Sequence, residues 1–433
     1  MTTRSSNDPA GDATGHPEVA PVRVAYLVSK YPAISHAFIE REILALRARG
    51  VEVTTYSVRP CPPGELISET MRREAAATRV LVDGDARPYV GGHAAVLRSA
   101  PGAWASTLAR AARTGDTTAR ARVWQGFYFA EAVVLYGWRK EAGLRHLHVH
   151  FTNVAADIAR LVVQLGRHID GPDAGWRWSM SVHGPAEFAQ VEKVDLAAKV
   201  AGADGVAAIT DFCRSQLMRL VDPNIWPSLS KVAMSVDEER YLPRSTPRED
   251  GPLRLLYVGR LVPEKGGPVL LEALADLRRR GIETHTRIVG GGELHDLLAR
   301  RIAELGLTES VELTGPIGQD ELPAQYRWAD VFVLPSFAEG LPVVIMEAMA
   351  TGLPVVTTRI AGIAELVADG QTGRVVSAGR ADEFADAIAW LARDEELRAR
   401  LGAAGREAVL SRHASGVTSA DMEEFLRGVT PRV

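Results

Sequence analysis

Short β-branched runs alternate with amphipathic stretches along most of the chain. VRVAYLVS, from Val22 to Ser29, has the apolar density of a buried strand. In the segment after it, Phe38, Ile39, Ile43, Leu44 and Leu46 recur at helical spacing, with Ser35 placed as an N-cap and Gly50 as a C-terminal stop. VEVTTYSV then returns to a strand pattern. Strand, helix and strand at this spacing predict a βαβ unit with parallel strands and a right-handed crossover. The alternation recurs in HLHVHF with VAADIARLVVQLG, in WRWSMSV before a polar turn, and in GVAAIT with DFCRSQLMRLV.

After Tyr241 the run LPRSTPREDGP is rich in proline and charge and reads as a linker. Beyond it LRLLYVG, THTRIVGGG, SVELTG, DVFVLPS, LPVVTT and GRVVS read as strands, most of them separated by helical patterns. The prediction is therefore two doubly wound α/β domains, residues 21–245 and 250–410, with a mostly helical insertion at about 60–145 in the first. Residues 411–433 include ASGVTSADMEEFLRG, an amphipathic helix that a two-domain fold of this kind can carry back to the first domain. Residues 1–20 are polar, with Gly and Pro and no apolar run, and read as a flexible leader rather than a signal peptide.

Composition narrows the class without changing the fold. Apolar residues make up 46% and charged ones 24%, as in soluble globular proteins, and a net charge of -4 gives no reason to expect nucleic acid as a partner. Cys61 and Cys213 cannot build a disulfide framework, so each is expected to be a small buried hydrophobe in a reducing compartment. No run reaches the roughly 18–20 apolar residues of a membrane span.

Ligands of open parallel sheets bind outside the carboxyl ends of the strands, so the loops that leave strands are where chemistry is expected. In SFAEGLPVVIMEAMATG, Glu339 sits in such a loop ahead of a helix that opens near Pro342, and Glu347 lies more than one turn inside it. A helix N-terminus beside Gly340 suits an anion, and a carboxylate deeper in can accept hydrogen bonds from a diol such as a ribose. A nucleotide sugar would meet both demands, although two solvated surface glutamates would give the same spacing. YVGRLVPEKGG puts Arg260 and Lys265 in the exit loop of the same domain's first strand. There a guanidinium fork and a mobile ammonium could neutralise a departing diphosphate. Cations in a loop are more often merely solvated; it is the conjunction with the glutamates that points to a site.

In its C-terminal half the chain resembles the retaining glycosyltransferases of family 4, which have the GT-B fold. GRLVPEKG, IVGGGE, VELTGPI and SFAEGLPVVIMEAMATGLPVV carry the resemblance, in that order. It implies that Arg260 and Lys265 bind the donor diphosphate, that Glu347 holds the ribose, and that Glu339 contacts the transferred sugar. It also implies that Gly340 and Leu341 approach the phosphates or sugar, and that the turn with Pro316 and Ile317 receives the base. Gly290 matches a family turn more weakly. SKYPAISHAFIEREILALRARG is similar to the opening of a subset that acts in bacterial polysaccharide assembly, departing from it at His36 and Ala37. WSMSVHGPAEF resembles the family's strand ending in His-Gly, which would bring His183 into the interdomain cleft; a structural histidine is the plainer reading of that position. His148 and His150 are assigned a structural role, with contact to the acceptor as the alternative.

The resemblance implies a retaining transfer of a sugar from a nucleoside-diphosphate donor, of UDP or GDP type, to an acceptor hydroxyl. A glycan, a lipid-linked intermediate or a small molecule would serve as acceptor. No cofactor or metal is expected, and Lys265→Ala is expected to abolish most turnover with little effect on folding. A nucleotide-sugar epimerase and a non-catalytic nucleotide-sugar-binding protein are the alternatives. Asp83 and Asp85 form a D-x-D motif of the kind that holds a metal in other glycosyltransferases, but a polar turn explains it as well. From Arg98 to Arg145 eight Arg and Lys stand against three Asp and Glu among aromatic residues. A cytoplasmic protein is expected, with peripheral contact at the inner face of the plasma membrane as a further alternative to plain helix packing.

Overall fold

The computed structural model describes residues 21–33, 36–115, 118–245, 248 and 250–430; the leader and the Ser35 cap lie outside them. Two parallel sheets form. The first contains β1 (Arg23–Lys30), β2 (Glu52–Arg59), β3 (Arg79–Val80), β4 (His146–His150), β5 (Arg177–Val182), β6 (Gly205–Ala208) and β7 (Leu229–Lys231), in the order β3-β2-β1-β4-β5-β6-β7. The second contains β8 (Leu253–Val258), β9 (Thr284–Val289), β10 (Val311–Gly315), β11 (Val331–Leu334), β12 (Val355–Thr358) and β13 (Gly373–Val376), in the order β10-β9-β8-β11-β12-β13. Strand order reverses between β1 and β4 in one sheet and between β8 and β11 in the other. At each reversal the following helices leave toward opposite faces, which opens a crevice.

Most strand residues are apolar because both faces are covered, the three buried histidines of β4 being the main exception. In β4, β6, β11 and β12 every residue is buried. The helix Val154–Asp170 shows why such segments fold so reliably. Asn153 caps it through the Ala155 amide, and its apolar face, Ile158, Leu161, Val162 and Leu165, is fully or almost fully buried in the core.

Residues 60–145 are mostly helical, as expected, but they are also part of the first domain's sheet and core. They supply β3, which pairs in parallel with β2, and the helix Ala119–Glu141, whose Ala132–Leu135 stretch lies in the main core. A two-residue strand is too short to show periodicity, and this helix buries residues around most of its circumference in its second half. Both features hide the α/β alternation. Its first half differs: Val123, Trp124 and Phe127 are exposed.

Glu131 on that helix is buried, with Arg59 Nη1 3.8 Å from Oε1, and burial raises its carboxyl from an ordinary 4.5 to about 7. Between those values the native protein keeps a proton that the unfolded chain has released, so stability falls as pH rises and the loss is complete above about pH 7. Glu131→Gln should therefore raise the melting temperature at pH 8 and raise it much less at pH 5. An equal gain at both pH values, by calorimetry, would refute this.

Asp83 and Asp85 build a turn: Oδ1 of Asp83 accepts from the Asp85 amide, and Oδ1 of Asp85 from the Arg87 amide. Cys213 is buried, its thiol pushed up to about 12 by desolvation, whereas Cys61 is only half-buried, because the proline-rich loop after β2 leaves it near the surface. Among the described residues no helix is long and apolar enough to cross a membrane.

The chain crosses between the sheets twice, side by side. Val236 donates to His413 O at 2.8 Å, and the Ser415 amide donates to Glu238 at 3.1 Å. The helix Ser415–Val429 then packs on the first domain, where Met422, Phe425 and Leu426 join Ile39, Ile43 and Leu46 in one cluster. Gly205 leaves the room this needs, since a Cβ there would lie 2.5 Å from Val429.

Candidate active site

Lys265 and Glu339 come together at the reversal of the second sheet, although 74 residues separate them. The loop after β8 closes in a single 3-10 turn, Pro263–Lys265, and ends at Gly266 in the left-handed region. A Cβ on Gly266 would lie 2.0 Å from the Pro335 carbonyl, so only glycine lets this loop settle against the exit of β11. The Phe337 amide donates to Glu264 O at 2.7 Å and ties the two exits together. Lys265 Nζ then reaches Glu339 Oε1 at 2.6 Å, and Ser336 Oγ donates to the same oxygen at 2.7 Å. Glu339 is 7% exposed. Arg260 is exposed and its guanidinium has no hydrogen-bond or ion-pair partner among the described residues.

This pairing changes one expectation. Removing Lys265 would strand a buried carboxylate, so folding cannot be indifferent to Lys265→Ala.

The glycine turn after β9 lies directly over that loop. At Gly290, with φ +141, a Cβ would lie 1.9 Å from Gly259 O, and at Gly292 2.4 Å from Leu261 O. The Gly290 amide donates to Gly315 O, which places the turn with Pro316 and Ile317 beside it. Pro316 is exposed and Ile317 half-buried.

Glu347 is placed differently. It lies on the helix Val343–Ala350, buried, and its Oε2 accepts from Tyr326 OH at 2.8 Å. Burial holds its carboxyl above the ordinary range, against the fields of Arg41 and Arg240 and the Tyr326 hydrogen bond. Tyr326 stacks edge-on against Tyr241 of the first crossing. Glu347 therefore faces the interdomain connection and shares no hydrogen bond with Lys265 or Glu339.

The first domain meets this site through His183. The exit of β5 turns at Gly184 (φ +119), and Glu187 Oε2 accepts from the amides of His183 and Gly184 at 2.6 and 3.0 Å. The exit abuts Gly340, where a Cβ would lie 2.0 Å from the His183 carbonyl oxygen. Nearby, Glu365 of the second domain accepts from the amides of Asp211 and Phe212 at the start of the helix Asp211–Met218. Leu341 is buried beside Gly340. Burial, and the neighbouring His150 and His36, hold the His183 imidazole well below its ordinary pKa, so it is neutral.

His148 and His150 lie at the end of β4. With Glu42 they bring three ligand-type atoms within 4.8 Å of one another. Both His148 nitrogens hydrogen-bond serines, Ser179 and Ser181, and both His150 nitrogens are engaged by His183 and Glu42. The cluster is a hydrogen-bonded chain, not an open coordination shell. Sequence reasoning passed over Glu42, Tyr326 and Ser336; nothing in local spacing marks a helix glutamate or a strand-end serine as a partner of residues so far along the chain.

Fold and site together define a two-domain α/β protein of the GT-B class, with its crevice lined from both sheets. Residues 239–408 match the family model of Glycosyl transferases group 1. A GDP-mannose-dependent alpha-(1-6)-phosphatidylinositol monomannoside mannosyltransferase of Mycolicibacterium smegmatis is 34% identical over 242 residues, 52% of this chain and 63% of that protein. The alpha-D-kanosaminyltransferase of Streptomyces kanamyceticus is 39% identical over 153 residues, 35% of this chain and 39% of the relative. The chain thus spans less than two thirds of these curated relatives. Among solved structures, Anabaena Alr3699/HepE in complex with UDP superposes with a TM-score of 0.70 at 16% identity, covering 94% of this chain and all of that one, a likeness of fold.

Proposed function

We propose that this protein is a retaining glycosyltransferase that moves a sugar from a nucleoside-diphosphate donor to an acceptor hydroxyl in glycan or glycoconjugate assembly. The observation that carries the reading is the Lys265–Glu339 pair at the reversal of the second sheet, with the exposed Arg260 in the same loop and His183 meeting Gly340 across the cleft. Lys265 spends one of its three N–H donors on Glu339, so two are available to a diphosphate oxygen, and Arg260 adds a fork. Among the described residues both bonds to Glu339 fall on Oε1, which leaves Oε2 for a sugar hydroxyl. The turn with Pro316 and Ile317 takes the base.

Glu339 is committed to Lys265 and Ser336 and is a poor nucleophile, which favours same-face attack. The acceptor oxygen bonds to the anomeric carbon as the bond to the diphosphate breaks. The acceptor proton passes to a diphosphate oxygen, and Arg260 and Lys265 steady the charge that develops. The UDP seen with the Anabaena neighbour and the GDP-mannose of the mycobacterial relative support a nucleoside diphosphate without choosing the base.

The test is thermal stability against a panel of nucleoside diphosphates and their sugars. A ligand that binds only the folded state at about 100 times its Kd stabilises by about 2.7 kcal/mol. One nucleoside diphosphate should raise the melting temperature, and Arg260→Ala should remove the shift. If no nucleotide shifts the wild-type protein, the donor-site reading fails.

A further inference from the structure

His183 carries a buried ring nitrogen, Nδ1, with no hydrogen-bond partner, although its other nitrogen is firmly held. A buried polar atom left unpaired is costly, and a chain of contacts explains why this one stays open. The chain starts at Glu42, on the helix Ala37–Ala48. Its Oε1 accepts from Tyr26 OH at 2.7 Å, and burial keeps that phenol protonated. The same oxygen lies 3.2 Å from His150 Nε2. A carboxylate can only accept, so His150 carries its proton on Nε2. When the His150 ring is neutral it has a lone pair on Nδ1, and the 3.0 Å contact from there to His183 Nε2 then needs a proton on His183 Nε2. His183 Nδ1 is thereby left as a bare acceptor.

The surroundings hold this arrangement still. The His183 ring packs against Phe38 and Phe151, with centroids 5.0 and 4.5 Å away. Phe151 has a φ of 67°, in the left-handed region where a bulky residue is strained, and strain of this kind collects at functional positions. His148 stands edge-on to His150 at 5.1 Å, and its own nitrogens are used by the serines.

We propose that Glu42 and His150 are positioning residues that lock His183 in the tautomer whose Nδ1 accepts a hydrogen bond from a sugar hydroxyl. This rests on the transferase reading for the identity of the ligand, but not for the lock itself. The assignment of His148 and His150 to a purely structural role is thereby revised for His150.

The lock can be read without substrate. In ¹⁵N-histidine NMR of the full chain at pH 7.5, with the His183 signals assigned by their loss in His183→Gln, His183 should show a protonated Nε2 and an unprotonated Nδ1. In Glu42→Gln, whose amide can donate as well as accept, His183 should become a tautomer mixture. Its kcat should fall about 10–100-fold, the range seen when an orienting partner of a ligating histidine is lost. A wild-type His183 protonated on Nδ1, or a single unchanged tautomer in Glu42→Gln, would overturn the proposal. Donor hydrolysis without acceptor shows whose hydroxyl is held: a parallel fall in hydrolysis and transfer assigns it to the transferred sugar, a fall in transfer alone to the acceptor. The predicted tautomers in a protein that binds no nucleotide and transfers no sugar would instead overturn the transferase reading and leave the lock standing.

Discussion

Lys265→Ala is expected to lower kcat about 10²–10³-fold, the loss that follows removal of one preorganised donor from a developing anion. The position of the ammonium is what makes it costly to lose. It is held at 2.6 Å by a carboxylate that is itself anchored by Ser336, so it needs no reorganisation when the leaving group gains charge. The same substitution leaves Glu339 without its counter-ion at a buried site and should cost about 1–3 kcal/mol of stability. The two effects separate in a double variant. Lys265→Met with Glu339→Gln removes both charges, should recover most of the denaturation midpoint, and should remain inactive. Steady-state transfer assays and urea titrations of the single and double variants decide the matter. Near-normal turnover in Lys265→Ala at saturating donor would refute the assignment of Lys265 to the leaving group.

Gly340→Ala is expected to be nearly as damaging to turnover, for a reason with no charge in it. A methyl group at this position would lie 2.0 Å from the carbonyl oxygen of His183 and 3.3 Å from Ile209, both in the first domain. Backbone cannot yield as a flexible side chain can, so the clash is relieved by moving one domain away from the other. A shift of about 1 Å in a reacting geometry can cost on the order of 10²-fold in rate. The cores of the two domains are untouched by such a shift, so the melting temperature should change little. The expected result is kcat/KM down about 100-fold with a wider separation of the domains in small-angle scattering. Wild-type scattering together with wild-type turnover would show that this contact does not set the working geometry.

Both predictions concern residues that lie in recognisable motifs, yet the reason for each effect is a contact between distant parts of the chain. The alternation of β-branched runs and amphipathic helices was enough to indicate two parallel sheets, because strands buried on both faces are largely apolar, β4 with its three histidines being the exception. The strand-exit loops, and with them Arg260, Lys265, Glu339 and Gly340, could be located for the same reason. The two-residue β3 and three-residue β7 were beyond reach, since a period needs several residues to declare itself. That the helix Ala119–Glu141 packs a face in the core was the plainer reading of its sequence; what stayed hidden is that its second half is buried around most of its circumference.

Neighbours along the chain fix the set of elements and the loops that carry chemistry, and both could be read locally. Which charges meet depends on how the sheets and helices come together. Lys265 pairs with Glu339 because β8 and β11 are adjacent in the sheet, and Glu347 turns to Tyr326 near the crossing instead of joining them. Glu42, His150 and His183 form one hydrogen-bonded chain because the first helix, β4 and β5 converge at a single strand-order reversal. Contacts of this kind follow from strand order and from helices crossing between domains, and no local pattern of apolar and polar residues encodes either.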